Sequence, residues 1–376
     1  MRRIALLKPP QLCVIASSAY GIRLNGLFCS PARMEGAILN GSTTVCLGRC
    51  RMQRRRFITM MGATTLASSG VVRAQQQARN VRHLGVLLYS TPQKDPQIKV
   101  LREGLHDLGY VEGQNISIEY RFAEGKAERL PDLASELVGL HPDVLFPLGG
   151  DVAPFVSKAT RSIPIVFVMS ADPLKLGMVD SLARPGGNAT GFTFLQDELA
   201  SKRLELLKKV APRISRVAFL SNPDHPDNEL RVAQRAAMAL SIDLHAVDMR
   251  SPGDLDAALR AVVEASADGL YVVASRQTVA ALEQIVSFAT KNELPLAGGW
   301  GDWALAGGLM SYGPNVREVA RSAATYVDRI FKGAQPSELP VQQPSRFELV
   351  INLRSARGLG LSIPESLLLL AEKVIE

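Results

Sequence analysis

Several loops of this chain carry groups able to hold a small polar molecule, and each directly follows a short apolar run. They are Tyr89-Ser90-Thr91, Gly149-Gly150-Asp151 and Ser170-Ala171-Asp172-Pro173, then Asn222-Pro223-Asp224, Ala274-Ser275-Arg276 and Gly299-Trp300-Gly301-Asp302, with Tyr312 following a later run. Glycine at such a point lets backbone N–H groups approach a guest, hydroxyl, amide and carboxylate side chains supply hydrogen bonds, and an aromatic face supplies burial. The ligand-binding candidates are therefore Tyr89, Ser90, Thr91, Gly150, Asp151, Ser170, Asp172, Asn222, Ser275, Arg276, Trp300, Asp302 and Tyr312. Arg276 is the sharpest of them. A guanidinium set just after an apolar strand suits a bidentate contact to a carboxylate, and the competing reading is an ion pair at the surface. Ser90, Asp151, Ser170 and Asp172 read equally as helix N-caps. Trp300 and Trp303 read either as a wall for a ligand or as packing at a surface or hinge.

Motifs for catalysis are missing where they would be expected. There is no Walker A sequence, no G-x-S-x-G elbow and no H-E-x-x-H. Gly299-Trp300-Gly301-Asp302-Trp303-Ala304 matches G-x-G-x-x-A, but two tryptophans sit poorly in a pyrophosphate turn. His83, His106, His141, His225 and His245 are scattered without paired spacing. Asp224-His225-x-Asp227 has the residue types of a metal site and reads better as a Pro-rich loop with solvated charges. Gly186-Gly187-Asn188 is a turn leading into a strand. The expectation is a binding protein with no catalytic residue, no metal and no cofactor.

The elements that must position these loops alternate. Apolar strand-like runs fall at 84–89, 116–120, 143–148, 163–168 and 189–194, with amphipathic helical segments at 96–108, 128–140 and 152–160. The pattern then restarts, with strands at 216–220, 244–247, 269–273 and 294–297 between helices at 199–210, 228–240, 252–265 and 278–291. A strand at 308–312, a helix at 316–331, a strand at 347–353 and a terminal helix close the chain. Short strands that are apolar throughout, alternating with helices, imply parallel sheets covered on both faces. The fold class is α/β, with two Rossmann-like lobes of parallel sheet around a hinged ligand cleft. Lobe one is expected from 82–192 plus about 313–335, and lobe two from 195–310 plus about 340–376. Loops at the carboxyl ends of parallel strands are where such sheets bind ligands, and helix N-termini there offer unpaired N–H groups.

Charge is unevenly spread. Of 43 Lys/Arg and 36 Asp/Glu, residues 1–74 hold eleven basic residues and one acid, leaving 32 basic against 35 acidic residues from position 75 onward. The basic excess thus belongs to the leader, and no nucleic-acid partner is expected for the body. Cys13, Cys29, Cys46 and Cys50 also all lie in the leader, so thiolate zinc is excluded from the body. Within the leader, Arg54-Arg55-x-Phe57-Ile58 fits a twin-arginine export signal spanning 52–74, and Val72-Arg73-Ala74 supplies a cleavage site after Ala74. Its uncharged stretch of about 16 residues falls short of the ~20 needed to cross a bilayer, which disfavours a membrane anchor. Residues 1–51 read as a non-native or disordered extension ahead of an internal methionine.

From about Arg82 to Glu376 the chain resembles the ABC-transporter substrate-binding family that includes tryptophan- and phenylalanine-binding lipoproteins. The resemblance rests on Leu105-x-x-Leu108-Gly109-Tyr110-x-Glu112-Gly113-x-Asn115, Ile118-Glu119-Tyr120-Arg121, Ile163-Pro164-Ile165-Val166-Phe167 and Asp172-Pro173. It continues in Arg184-Pro185-Gly186-Gly187-Asn188-x-Thr190-Gly191, Lys202-x-Leu204-Glu205-Leu206-Leu207-Lys208 and Phe347-Glu348-Leu349-Val350-Ile351-Asn352-Leu353, with Ile363-Pro364 soon after. It implies a periplasmic-binding-protein-like type I fold and a periplasmic, monomeric solute carrier. Its partners would be a small-molecule solute and an ABC transporter permease with its ATPase. It also implies a site near Ser90, Gly150, Asp172, Ser275 and Tyr312. Two positions depart from the family pattern: Ala274-Ser275-Arg276 stands where many members have Thr-Asp-Asn, and Gly298-Gly299-Trp300 where many have an acidic Ser-Asp segment. An acid able to pair with an amino group is missing and a cation stands beside its place, which points towards an aromatic or carboxylate-bearing solute. The alternatives are an exported sensor feeding a membrane receptor and a small-molecule enzyme of the same architecture.

Overall fold

Strand β1 (Arg82–Leu88) is apolar on both faces because both are covered. Leu84, Val86 and Leu88 pack into one cluster while Leu87 and the following Tyr89 pack into another. The same logic builds its neighbours. In chain order these are α1 (Pro96–Asp107), β2 (Ile116–Phe122), α2 (Leu130–Gly139), β3 (Val144–Pro147), α3 (Ala153–Ala159), β4 (Ile165–Met169) and β5 (Ala189–Thr193). They form a parallel sheet in the order β2-β1-β3-β4-β5. The computed structural model describes residues 81–376 other than 195 and 274, and these belong to one compact unit. The export signal, the cleavage after Ala74 and the extension over 1–51 lie outside the described residues.

The second sheet draws on α4 (Ala200–Val210), β6 (Arg216–Ser221), α5 (Glu229–Ala239), β7 (Asp243–Asp248), α6 (Leu255–Glu264) and β8 (Gly269–Val272). There follow α7 (Arg276–Ala280), α8 (Leu282–Lys291), β9 (Leu296–Gly298), α9 (Gly301–Leu305), β10 (Met310–Pro314), α10 (Val316–Phe331) and β11 (Phe347–Asn352). The chain ends with α11 (Leu353–Gly358), α12 (Glu365–Leu370) and β12 (Lys373–Ile375). The order is β12-β11-β10-β9-β8-β6-β7, parallel except where β11 runs antiparallel to β10.

The chain passes between the sheets at 194–199, at 314–316 and at 342–347, and three such passages make a hinge. Helix α10 leaves β10 of the second sheet and packs on the first. Gly104 of α1 lets the helices approach so closely that a Cβ there would sit 2.9 Å from Ala324 Cβ. Tyr110 donates to Asp328 Oδ1 at 2.9 Å and its ring meets Phe331 at 5.4 Å. The segment after α10 stays with the first sheet, since Val341 N–H donates to the Leu182 carbonyl and Gln342 N–H to that of Gly191.

Three details depart from the sequence reading. The helix expected at 278–291 begins earlier and is interrupted. Ser275 and Thr278 form a capping box that starts α7 at Arg276, and α8 begins after Ala281. The short α9 packs Trp303 into the core against Gly298, where a Cβ would overlap the indole. The terminal helix is instead two short helices, separated by Gly360 at φ +63° and Pro364, followed by strand β12.

Candidate functional site

The carboxyl-end loops of the first sheet face those of the second. After β3 the chain turns at Gly149 with φ +122°, and its N–H donates to the Val168 carbonyl at 2.8 Å. A side chain there would crowd both Asp151 Oδ1 and Arg276 Cγ, at 2.5 and 2.7 Å from its Cβ, so the glycine lets the second lobe come close. Between the lobes the strand-end loops close on one another, leaving a crevice too narrow for a water molecule. The first lobe contributes Gly150, Asp151 and Ser170, the second Arg276 and Trp300, and Phe194 flanks it at the first passage between sheets.

Arg276 follows the Ser275 cap, and its Nη1 donates to Asp95 Oδ2 at 2.8 Å across the lobes, with both side chains buried. Asp95 also caps α1 by accepting from Gln97 N–H. The guanidinium lies 4.6 Å from the Trp300 ring centroid, a cation–π stack, and Phe194 meets that indole edge-on at 6.3 Å. Arg276 is therefore neither an unpaired clamp nor a surface ion pair. It is the second lobe's half of a buried bridge, and Trp300 is a wall of the gap.

Asp151 is the unusual group. Both of its carboxylate oxygens are shut from solvent, and no side chain is hydrogen-bonded to them. Burial raises its pKa, against the pull of His225 and Arg276 and of the N–H groups of Asp151 and Arg276. Opposite it, Ser170 Oγ is 3.1 Å from His225 Nε2, and His225 Nδ1 is 2.5 Å from Asp227 Oδ2. Burial alone would lower the His225 pKa, but Asp227, Asp151 and Glu229 raise it. The loop expected to carry solvated charges thus buries His225 instead.

The remaining candidates are held mainly by their own neighbourhoods. Tyr89 donates to the Gly125 carbonyl at 2.7 Å, and burial pushes its hydroxyl up to about 12. Ser90 and Thr91 are half-buried, with Thr91 preceding a short 3-10 turn. Asp172 accepts from Leu174 N–H, and Asn222 accepts from Asp224 N–H, so both act within their turns. Asp302 pairs with Arg317 at 3.3 Å, away from the gap. The Tyr312 carbonyl accepts from Arg203 Nε.

Arg203 belongs to a fully buried network that sequence reasoning missed. Its Nη1 meets Glu229 Oε1, and also Tyr271 Oη at 2.5 Å, while Tyr271 donates to Glu229 Oε1 at 2.6 Å. Burial pushes the Glu229 carboxyl up to about 7. The network ties α4, α5, β8 and β10 together and, through the Glu229 N–H bond to Asp227, supports the loop carrying His225. A signal for Asp95 was available in Asp95-Pro96, the start of a capped helix. Nothing in spacing announces His225 or Arg203. Among the described residues no cluster of three His, Cys, Asp or Glu is placed to hold a metal, and no helix is long and apolar enough to cross a membrane.

Two α/β lobes, joined by three passages and facing each other with their strand-end loops, define a hinged binding protein. The family model for ABC transporter substrate binding protein matches residues 86–375, and the chain belongs to that family. Its members are solute-binding proteins. A tyrosine-binding protein of Clostridioides difficile (strain R20291) is 24% identical over 288 residues, 76% of this chain and 82% of that protein. A conserved domain protein from Vibrio cholerae is 28% identical, covering 78% of this chain and 99% of that one, with a TM-score of 0.72. An ABC domain from Streptococcus pneumonia, solved in complex with L-Trp, is 24% identical over 78% and 100% of the two chains, with a TM-score of 0.71.

Proposed function

We propose that this chain is a periplasmic carrier, exported by its twin-arginine signal and cleaved after Ala74, that binds an aromatic amino acid between its lobes. As a monomer it hands that solute to an ABC permease and its ATPase, and no bond is broken. The lobes open at the three passages to admit the solute, and closure buries it by contacts with both.

The observation that carries the reading is the Asp151 carboxylate, shut from solvent at the gap with no side chain hydrogen-bonded to it. A buried carboxylate is costly unless a cation meets it, and a solute ammonium is such a cation. Trp300 and Phe194 supply an aromatic wall. The family's usual acid is replaced around Ser275-Arg276, and Asp151 of the other lobe stands in for it. The tyrosine-binding relative is consistent with this class of solute.

A thermal-shift panel tests it. Tyrosine, tryptophan or phenylalanine at about 100 times Kd should stabilise the chain by roughly 2.7 kcal/mol. Tyramine, which keeps the amine, should give a smaller shift, and 4-hydroxyphenylpropionate, which lacks it, should give none. An amine-free acid that stabilises as well as the amino acid would overturn the assignment of Asp151.

A further inference from the structure

His225 sits where the lobes meet. It comes from the loop between β6 and α5, and its Nε2 reaches Ser170 Oγ of the first lobe at 3.1 Å. Gly150 makes room for it, since a Cβ there would stand 3.2 Å from Nε2 and 3.0 Å from Ala171 Cβ. The contact is made by the protein's own side chains across the hinge.

The charges around it decide how it behaves. Closure carries Asp151 of the first lobe towards a pocket of the second that already holds Asp227 and Glu229. Each nearby arginine has a carboxylate of its own, Arg276 with Asp95 and Arg203 with Glu229. Tyr271 is bonded within the Arg203 pair, and Tyr89 faces Asp151 as a neutral phenol. The imidazole therefore shares Asp151 with Arg276 and meets Asp227 at Nδ1. With His225 neutral, closing the cleft gathers Asp151, Asp227 and Glu229 with less positive charge to offset them. With His225 protonated, Nδ1 serves Asp227, Nε2–H donates to Ser170 Oγ, and the ring's charge offsets Asp151.

We propose that a proton on His225 latches the two lobes together, so that acid closes the cleft through protein–protein contacts that need no solute. The consequence for solute, that acid and solute compete to set the closed population, rests on the reading of the cleft given above; the latch itself does not. The pKa values of His225 and Asp151 are both raised in the closed arrangement, so both groups bind protons more tightly there. A raised closed-state pKa favours closure fully below the open-state value of about 6.5 for histidine. That contribution is lost as pH rises through the closed-state value.

Trp300 is a native reporter, because its face is covered by Arg276 of the gap while the only other tryptophan, Trp303, is buried in the core. Acrylamide quenching of the full chain without added solute, scanned from about pH 5 to about pH 8, reads the exposure of Trp300 across the histidine range. Trp300 should be shielded in acid and become accessible as pH rises, and the transition should be lost in His225→Gln, which keeps a polar side chain but cannot titrate. If that variant does not fold by circular dichroism, Ser170→Ala, which removes the contact at Nε2, should move the midpoint. Flat quenching of the unaltered chain, or a transition unchanged in the variants, would overturn the latch. Either result leaves the amine-dependent binding of the thermal-shift panel as it stands.

Discussion

Replacing Arg203 by methionine should cost about 3–5 kcal/mol of stability, since removing one partner of a buried pair strands the other. The melting temperature should fall by on the order of 10 °C, at about 2–4 °C per kcal/mol for a domain of this size. The stranded group is Glu229, buried with Tyr271 and already pushed up to about 7. With its folded pKa above the unfolded value, Glu229 favours the fold most at acid pH, and that contribution fades as pH rises from the ordinary carboxylate range towards 7. Loss of Arg203 extends the fading further, so the variant's deficit should be larger at pH 8 than at pH 5. Adding Glu229→Leu should recover part of the loss, because it removes the stranded charge but leaves the buried Tyr271 hydroxyl without the two partners it has here. Chemical denaturation of the single and double variants at both pH values measures it. Equal loss in the two variants would mean that packing, not stranded charge, sets the cost.

Asp151→Asn should separate stability from binding. No side chain is hydrogen-bonded to the buried carboxylate, so neutralising it should leave the stability of the free chain unchanged or higher, by up to about 1–3 kcal/mol. Affinity for an aromatic amino acid should meanwhile fall by about two orders of magnitude, in the range of about 2–5 kcal/mol expected when one member of a buried charge pair is removed. Calorimetric titration with tyrosine and a melt of the free protein measure both. A variant that binds normally, or one that simply unfolds, contradicts a role for Asp151 in holding the solute amine.

The strand runs were legible because a parallel strand covered on both faces has no polar side to hide. Leu84 to Leu88 and Ile165 to Met169 are buried along their whole lengths. The loops at their ends were legible for the same reason, since topology alone places them opposite each other. What the spacing could not tell was which loop side chains turn inward. Asp151 and Asp172 both follow strands and both read as caps, yet Asp172 accepts from Leu174 N–H in its own turn while Asp151 faces the gap with no side chain hydrogen-bonded to it. Pairings across the hinge have no local signature. Asp95 and Arg276 are 181 positions apart and Ser170 and His225 are 55 apart, and each pair is set by closure rather than by sequence neighbours. The last strand, Lys373–Ile375, is too short and too exposed to show a period and reads as the end of a helix.

Hydrogen exchange with and without saturating tyrosine tests binding between the lobes most directly. Amide exchange should slow together in both lobes, at 149–151 after β3 and at 275–277 where α7 begins. Slowing confined to one lobe's loops, or centred on the outer groove that contains Leu294, Leu305 and Leu359, would contradict it.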